Sequence, residues 1–312
     1  MTQHQWTPEH TLDLTTAAAL VAEQFPELAG LPVRAFDSGW DNVVVTVGDA
    51  WAFRFVHRQV ALPGARRELA VLRHLADRFP VPIPHPVFVG TPTEAMPWPF
   101  WGTRLLPGQE IAQTPVPDVA RTRVAAAVGG FLRELHDPAL ARETVDAVGR
   151  DGVDLPVDPM RRADAATQAG RAREQLTTLV DESLWQPDPR VDALLATAAG
   201  AGPASGEPVL VHGDLHVRHL LVSADGEPTG VIDWGDTALG DPAIDLMVAY
   251  AAFVDDARAA FLTAYGDVPP DRELRARTLA VRVSSMLAVY AAAEGMTALL
   301  AEALACLDRA VR

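Results

Sequence analysis

Short apolar runs separated by turn-forming residues characterise the first third of the chain. They predict one helix and then three strands, over residues 11–29, 33–36, 43–47 and 50–56. Ser-Gly and Gly-Asp dipeptides lie between the strands, and both are typical of tight turns. The pattern therefore predicts a small antiparallel sheet that follows a helix.

The spacing of apolar positions changes after the third strand. Apolar residues recur at helical intervals within residues 64–79, at Leu69, Leu72, Leu75 and Ala76. Prolines between residues 80 and 86 exclude a helix there, and two further strands are predicted over residues 87–89 and 98–106. We expect residues 1–107 to form a first lobe, an antiparallel sheet with one main helix.

From residue 108 onwards the pattern is mainly helical. Residues 116–137 and long stretches towards the C-terminus are rich in alanine and leucine at helical spacing. Short strands interrupt them at residues 209–211, 220–222 and 229–232. We therefore predict an α+β protein of two lobes, in which residues 108–312 form the larger, mainly helical lobe.

Composition indicates a soluble protein of the cytoplasm. Apolar residues make up 49% of the 312 residues, yet no uninterrupted apolar stretch approaches the roughly 20 residues that span a bilayer. The start of the chain lacks the basic segment and apolar block of a secretion signal. Cys306 is the single cysteine, which excludes an intrachain disulfide and a cysteine-based metal cluster.

The charge balance bears on the choice of partner. With 26 basic and 41 acidic residues, the formal net charge is -15. This charge disfavours nucleic acid and anionic membranes as partners and favours a cationic ligand, although a solvated acidic surface explains it equally well. Every basic residue is arginine, so chemistry that usually employs lysine must use another side chain. Either a monomer or a homodimer is compatible with these features.

Polar residues with catalytic potential lie between apolar strands of the second lobe. A predicted strand leads into His212-Gly213-Asp214, and a later strand pair carries Asp233 to the same end of the small sheet. Phosphoryl transfer requires a base near the acceptor hydroxyl and metal ligands that neutralise the developing phosphate charge. Asp214, His219 and Asp233 are the candidates for these tasks.

This segment resembles the aminoglycoside phosphotransferase superfamily. The resemblance rests on four motifs in order, His212-Gly-Asp214, the apolar residues 220–222, Ile232-Asp-Trp234 and Gly240-Asp-Pro242. It implies a protein-kinase-like fold, in which residues 1–107 form the nucleotide-binding lobe and residues 108–312 form the lobe for catalysis and acceptor binding. It also implies a small-molecule O-phosphotransferase that uses Mg2+ and takes ATP or GTP as the phosphoryl donor. It also implies that Asp214 is the catalytic base, which orients and deprotonates the acceptor hydroxyl, and that Asp233 binds magnesium.

Residue 219 departs from the commonest pattern of this superfamily. The position five residues after Asp214 holds histidine instead of asparagine. Histidine at this position is similar to the macrolide phosphotransferases and to some aminoglycoside kinases. Because magnesium prefers oxygen ligands, the change bears on the metal geometry. The resemblance implies that His219 binds the metal or supports its ligands.

The first lobe offers a cation for the nucleotide. Alternation along the third strand puts Arg54 on the face opposite to the aromatic residues Trp51, Phe53 and Phe55. In kinase-like lobes this strand offers a cationic side chain to the triphosphate, paired with a glutamate on the next helix. Arg54 and Glu68 occupy those places, and the alternative is a surface arginine on a small sheet.

Two further segments of the first lobe are nucleotide-binding candidates. The turn that contains Gly39 and Asn42 lies where a phosphate-covering loop belongs, and a plain hairpin turn is an equally good interpretation. Residues 103–108 resemble the hinge of the superfamily, whose backbone carbonyl and amide hold the edge of the nucleobase. By position those backbone groups belong to Arg104 and Leu106.

Several polar residues nearby have structural interpretations. We interpret His212 as orienting the catalytic loop, and His136 as a packing or capping residue at a helix end. Asp241 precedes a proline and is typical of a helix cap. Asp245 either braces the loop or lines the acceptor pocket.

The sequence indicates the acceptor less directly than it indicates the reaction. An aminoglycoside is the leading candidate, which implies a role in antibiotic resistance, and the acidic charge agrees with an amine-bearing acceptor. A macrolide kinase and a metabolic small-molecule kinase are the alternatives, because phosphate chemistry does not determine the acceptor. A pseudokinase module that only binds nucleotide is a further alternative, but it would require loss of the metal or base positions.

Overall fold

The structure is a computed structural model, which describes residues 9–10, 12–38, 42–114 and 116–312. Backbone proximity divides the chain into two compact units. The first contains the described residues up to Arg78 together with Ile83–Leu106 and Ala147–Asp154. The second contains Phe79–Pro82, Pro107–Asp146 and Leu155–Arg312.

An antiparallel sheet of five strands forms the first unit together with two α-helices. The strands are β1 (Val33–Ser38), β2 (Asn42–Val47), β3 (Trp51–Val56), β4 (Pro86–Gly90) and β5 (Phe100–Arg104). The helices are α1 (Leu14–Gln24) and α2 (Leu62–Leu75). The strand order is β1-β2-β3-β5-β4. The predicted sheet is confirmed, with one main helix after its third strand.

Aromatic side chains fill the core of this sheet. Phe53, Phe55 and Phe100 are completely buried, and the rings of Phe55 and Phe100 stack at 4.9 Å. A β-carbon at Gly90 would lie 2.1 Å from the ring of Phe100, and one at Gly102 would lie 2.5 Å from the ring of Phe53. The close packing of the rings therefore requires glycine at both positions.

Helix α2 differs slightly from its predicted bounds. It begins two residues earlier, with Pro63 in its first turn, where a missing N–H costs nothing because that group has no partner within the helix. It ends at Leu75 instead of residue 79, and Asp77 just beyond has a φ of 58°. This left-handed conformation is incompatible with a continued helix.

Helices dominate the second unit. They are α3 (Thr122–Leu135), α4 (Pro138–Arg150), α5 (Ala165–Asp181), α6 (Pro189–Ala199), α7 (Ala243–Ala252), α8 (Asp255–Tyr265), α9 (Pro270–Ala293) and α10 (Thr297–Ala310), of which the end of α4 belongs to the first unit. Every residue of α7 is buried, and α9 packs against α5, α7 and α10. α3 starts later than predicted, because residues 118–120 form a separate 3-10 turn.

Two small sheets of the second unit carry the segment with catalytic potential. β6 (Gln109–Glu110), β8 (Leu220–Val222) and β9 (Pro228–Val231) form one sheet, and β7 (Val209–Val211) pairs with β10 (Ala238–Gly240) in the other. Together with the helices they confirm the predicted α+β class. Within the described residues, no helix has the length and apolar character that a membrane crossing requires.

Candidate active site

A tight turn after β7 presents Asp214. Gly213 has a φ of 92°, a conformation that L-residues with a side chain rarely adopt. A β-carbon at this position would lie 2.2 Å from the carbonyl oxygen of Asp236. Glycine is therefore required for the loop to pass this close to the segment after β9, and the approach places Asp214 and Asp236 near one another.

Asp245, in the first turn of α7, braces this loop. Its buried carboxylate accepts hydrogen bonds from the backbone N–H groups of His212, at 2.7 Å, and Gly213, at 2.9 Å. Nε2 of His136, which follows α3, lies 3.1 Å from the same carboxylate. Burial raises the pKa of Asp245, but the contacts with His136, His212 and Gly213 lower this pKa by more, so that it lies below its ordinary value. The geometry supports the bracing role.

His212 orients the loop from within. Its Nε2 lies 2.9 Å from the carbonyl oxygen of Ile232, and because a carbonyl can only accept, Nε2 carries the proton. The unprotonated Nδ1 then accepts a hydrogen bond of 3.2 Å from the backbone N–H of Asp214. Complete burial lowers the pKa of His212, which is consistent with a neutral ring. These contacts agree with the loop-orienting role expected for this residue.

The carboxylate of Asp214 is held by Arg162. The guanidinium Nη2 lies 3.2 Å from Oδ1 of Asp214 and 2.7 Å from a carboxylate oxygen of Asp236. Burial lowers the pKa of Arg162, but the two carboxylates raise this pKa by more, so that it lies above its ordinary value. The Asp214 side chain is 24% exposed, which leaves part of the carboxylate accessible to a ligand.

His219 links Asp214 with Asp233. Its Nδ1 lies 2.8 Å from the carbonyl oxygen of Asp214 and therefore donates to it. Its Nε2 lies 3.3 Å from Oδ2 of Asp233. Asp233 has a φ of 65°, a left-handed conformation that is uncommon outside glycine and is often found at functional sites. The three predicted residues Asp214, His219 and Asp233 therefore lie together.

His216 packs against this group. Its ring stacks on that of His219 with centroids 3.9 Å apart, and its Nε2 lies 3.6 Å from Oδ2 of Asp214. Its Nδ1 accepts from the backbone N–H of Arg218. Burial, followed by the charges of His219 and Arg218, lowers the pKa of His216 well below its ordinary value. The ring is therefore a neutral wall of the site.

The donor atoms fit a divalent cation. Ligand atoms of Asp214, His216 and His219 all lie within 4.8 Å of one another. When Nδ1 of His219 carries the proton, its Nε2 directs a lone pair at a carboxylate oxygen of Asp233. Two lone pairs at that distance repel unless a proton or a cation lies between them. Carboxylates suit magnesium, and an imidazole nitrogen additionally suits softer divalent metals.

Arg54 and Glu68 form an ion pair in the first unit. The guanidinium Nη1 of Arg54 lies 2.6 Å from Oε2 of Glu68, whose side chain is only 4% exposed. Arg54 also lies over the ring of Trp101, with 6.0 Å between the guanidinium carbon and the ring centroid. The pairing predicted from the third strand and the following helix is present, and a contact of Arg54 with a triphosphate stays a prediction.

The other described nucleotide-binding candidates lie in β2 and at or just after the end of β5. Gly39 lies outside the described residues. Asn42 is the first residue of β2 and pairs with Val56, so it belongs to a strand and not to the turn; its buried Oδ1 has no hydrogen-bond partner among the described residues. Arg104 ends β5 and lies over the ring of Trp51. The backbone roles of Arg104 and Leu106 stay predictions.

Sequence reasoning did not single out Arg162. This residue precedes Asp214 by 52 positions and lies in an irregular segment before α5. No periodicity or motif marks it, because its role depends on a contact between distant parts of the chain. His136 was interpreted only as a packing or capping residue, and its bond to Asp245 spans 109 positions.

Comparison with known proteins identifies the family and supports the fold. A family model described as "Phosphotransferase enzyme family" matches residues 32–277, a range that includes every candidate residue named above. The GDP and kanamycin complex of APH(2")-IIIa is 24% identical, with a TM-score of 0.65, and the match covers 94% of this chain and 97% of that one. Macrolide 2'-phosphotransferase MphH from Brachybacterium faecium is 26% identical, with a TM-score of 0.57 and coverage of 95% and 98%.

Two curated proteins match over part of their length. The uncharacterized protein YcbJ of Bacillus subtilis (strain 168) is 38% identical over 56 residues, which are 18% of this chain and 18% of that protein. Acyl-CoA dehydrogenase family member 10 of Mus musculus is 24% identical over 199 residues, which are 62% of this chain and 17% of that protein. The chain therefore spans less than a fifth of either curated relative.

Proposed function

This chain belongs to the phosphotransferase enzyme family, and we propose that it transfers the γ-phosphate of ATP or GTP to a hydroxyl group of a small molecule. Its likeness to aminoglycoside and macrolide phosphotransferases supports a small-molecule O-phosphotransferase. One observation carries the proposal. The carboxylate of Asp214, on a braced loop, lies beside a histidine, His219, which in turn lies beside a second acid, Asp233.

Asp214 is the proposed catalytic base. The bonds of His212 and Arg162 to this residue orient its carboxylate before any ligand binds. A hydroxyl placed against the accessible carboxylate oxygen would donate its proton to Asp214 while the hydroxyl oxygen attacks the γ-phosphorus. The bond between that phosphorus and the bridging β,γ-oxygen would break, and the nucleoside diphosphate would leave. The bracing by Asp245 matters here, because an orientation set in advance lowers the cost of reaching the reactive geometry.

Asp233 and His219 are the proposed metal-binding residues. A magnesium ion, when bound, would neutralise negative charge on the triphosphate. Oδ2 of Asp233 and Nε2 of His219 would hold it. In the first unit, Arg54 would contact triphosphate oxygens in the orientation that Glu68 sets, with Gly39 and Asn42 beside the phosphates.

The nucleobase and the acceptor are separate parts of the proposal. The backbone of Arg104 and Leu106 would hold the base, in a manner open to both ATP and GTP. Similar solved structures are complexes with kanamycin, gentamicin or streptomycin, so an aminoglycoside is the first acceptor class to test. Macrolides come second, supported by the match to a macrolide phosphotransferase. Turnover of either class would support a role in antibiotic resistance.

Nucleoside diphosphate release tests the proposal. The purified chain is incubated with magnesium and either ATP or GTP, across aminoglycosides, macrolides and small hydroxylated metabolites. We expect release that depends on one acceptor class and that falls about 100-fold or more in Asp214→Asn, because a general base contributes about that factor. Asp256→Asn, an exposed carboxylate in the first turn of α8, is the matched control and should keep full activity.

Two results would count against the proposal. Equal turnover in Asp214→Asn and the unmodified chain would remove Asp214 from the reaction. Tight nucleotide binding without turnover on any acceptor would favour a nucleotide-binding module instead.

A further inference from the structure

Arg282 is placed close to the catalytic loop by helix α9. It follows Arg275 by seven residues, which is about two helical turns, so both side chains lie on the same face of the helix. Arg275 is buried and donates to the carbonyl oxygen of Ala163 at 2.9 Å. This face of α9 therefore lies along the segment that contains Arg162.

A second contact places α9 beside the catalytic loop. The guanidinium carbon of Arg218, four residues after Asp214, lies 5.9 Å from the ring centroid of Tyr290. Tyr290 follows Arg282 by eight residues on the same helix. Arg282 therefore lies between the contact that α9 makes with Ala163 and the contact that it makes with the catalytic loop.

Arg282 has hydrogen-bonding capacity that the described part of the chain does not use. Its Nε and Nη1 are shielded from solvent, and neither has a hydrogen-bond partner among the described residues. Shielded guanidinium nitrogens without partners are costly, because they lose hydration and gain nothing in return. The nitrogens form the planar fork that matches a carboxylate or a phosphate.

Charged side chains of both signs lie around Arg282. Burial and then the charge of Arg171 lower the pKa of Arg282, Arg162 acts in the same direction, and Glu174 opposes them. Arg162 is already paired with Asp214 and Asp236, and Arg171 donates to a backbone carbonyl. Of these three arginines, Arg282 is therefore the one whose shielded guanidinium nitrogens lack a hydrogen-bond partner among the described residues.

We propose that the acceptor carries an anionic group that binds Arg282, so that a hydroxyl of the same molecule is presented to Asp214. This inference rests on the proposed phosphotransferase function and restricts its acceptor. A carboxylate or phosphate satisfies the shielded nitrogens of Arg282, whereas an ammonium group placed against them can accept no hydrogen bond and meets a like charge. The net charge of the whole chain does not decide this contact, because charge effects are short in range at physiological salt.

A series of hexoses that differ in one group provides the probes. D-glucose is neutral, D-glucuronate carries a carboxylate, D-glucose 6-phosphate carries a phosphate, and D-glucosamine carries an amine. Binding is measured by calorimetry and by the shift in Tm at constant ionic strength, with a non-hydrolysable ATP analogue and magnesium at saturation. The analogue keeps the phosphate probe away from the nucleotide-binding groups.

We expect one or both anionic hexoses to bind at least about tenfold more tightly than glucose and glucosamine. Arg282→Gln should abolish this preference, and Arg282→Lys should retain part of it, because the charge remains without the fork. Arg173→Gln, an exposed arginine on α5, should leave the preference unchanged. Comparison of the carboxylate with the phosphate identifies the anion. The Tm of each variant without ligand reports its folding.

Either of two results would overturn the inference, namely no preference for the anionic hexoses or a preference that survives in folded Arg282→Gln. Asp214→Asn separates this inference from the proposed function, since it should keep the anion preference while losing transfer. Transfer to neutral or cationic acceptors that Arg282→Gln leaves intact would refute the inference and preserve the phosphotransferase. A preference for the anionic hexoses without transfer to any acceptor would support anion binding at Arg282 and count against the phosphotransferase.

Discussion

At the scale of single residues, the site is organised by the direction of its hydrogen bonds. His212 donates through Nε2 and accepts through Nδ1, whereas His219 donates through Nδ1 and leaves Nε2 towards Asp233. Each assignment follows from a carbonyl oxygen, which can only accept. The two histidines therefore differ in role, one holding the backbone of its own loop and the other linking Asp214 with Asp233.

Substitution of His219 tests the metal interpretation. His219→Asn replaces the imidazole nitrogen with an amide oxygen. Because magnesium prefers oxygen ligands, we expect the ratio of the affinity for Mg2+ to the affinity for Mn2+ to rise several-fold. His219→Ala should weaken the binding of both ions. Metal affinity is measured by calorimetry with a non-hydrolysable nucleotide. Unchanged affinity in His219→Ala would exclude His219 as a ligand.

The backbone at Gly213 gives a second prediction at this scale. Gly213→Ala combines a left-handed conformation with a β-carbon 2.2 Å from a backbone oxygen. We expect it to lower the free energy of unfolding by more than about 1 kcal/mol, and to reduce transfer. Gly170→Ala is the matched control, since Gly170 lies within α5 with open space around it and should be stabilised by about 0.5–1 kcal/mol. Urea unfolding of both variants provides the comparison, and equal stability would contradict the argument.

At the scale of elements, a buried ion-pair network attaches α10 to the segment before α3. Glu302 accepts from Arg121 at 2.7 Å and from Arg309 at 2.8 Å. Arg309 also bonds to Asp118 at 2.9 Å. Burial raises the pKa of Glu302, but the two arginines lower this pKa by more, so that it lies below its ordinary value. The helix is therefore held by charge as well as by apolar packing.

Glu302→Gln tests this network as a function of pH. Removal of one partner of a buried pair leaves charge uncompensated, so at pH 7 we expect a loss of about 3 kcal/mol in the free energy of unfolding. Because the folded pKa lies below the ordinary value of 4.5, the contribution of the carboxylate is present above pH 4.5 and disappears as the pH falls through the folded pKa. The two proteins should therefore converge in stability at acidic pH. Urea unfolding at pH 7 and below pH 4 measures the difference, and a gap that does not narrow would contradict the prediction.

At the scale of the whole molecule, each compact unit has its own chemistry and its own core. The aromatic sheet of the first unit places Arg54 against Glu68, and the helical second unit holds the Asp214 loop through Asp245. The single cysteine, Cys306, is buried in α10 of the second unit, and burial raises its pKa to about 12. Its thiol therefore reports on the folding of that unit.

Thiol labelling gives the prediction at this scale. In the native chain at pH 8, Cys306 should react with an aromatic disulfide reagent far more slowly than a free thiol, because it is buried and protonated. In concentrated urea it should react at once. The urea concentration at which half of the thiol has become reactive should equal the concentration at which half of the helical circular dichroism is lost. Rapid labelling of the native chain would show that α10 opens without unfolding of the unit.

The sequence by itself determined the fold class and the order of the strands and the main helix of the first lobe, and it predicts the loop that carries Asp214 as the catalytic loop. Local patterns suffice for these, because strand alternation, helical spacing and the His-Gly-Asp and Ile-Asp-Trp motifs lie within short segments. The predicted end of α2 and the predicted start of α3 were less accurate. A left-handed Asp77 follows the end of α2, and a 3-10 turn at Asp118–Ala120 precedes the start of α3. Apolar spacing does not reveal either feature.

Only the tertiary structure decided what surrounds Asp214. Arg162 reaches Asp214 and Asp236, His136 reaches Asp245, and Arg275 of α9 reaches Ala163, across separations of 52 residues and more. Such partners are chosen by packing, and no local pattern marks them. The net charge of -15 suggested a cationic ligand, whereas the unpartnered nitrogens of Arg282 became visible only in the fold, because packing decides which polar groups find partners.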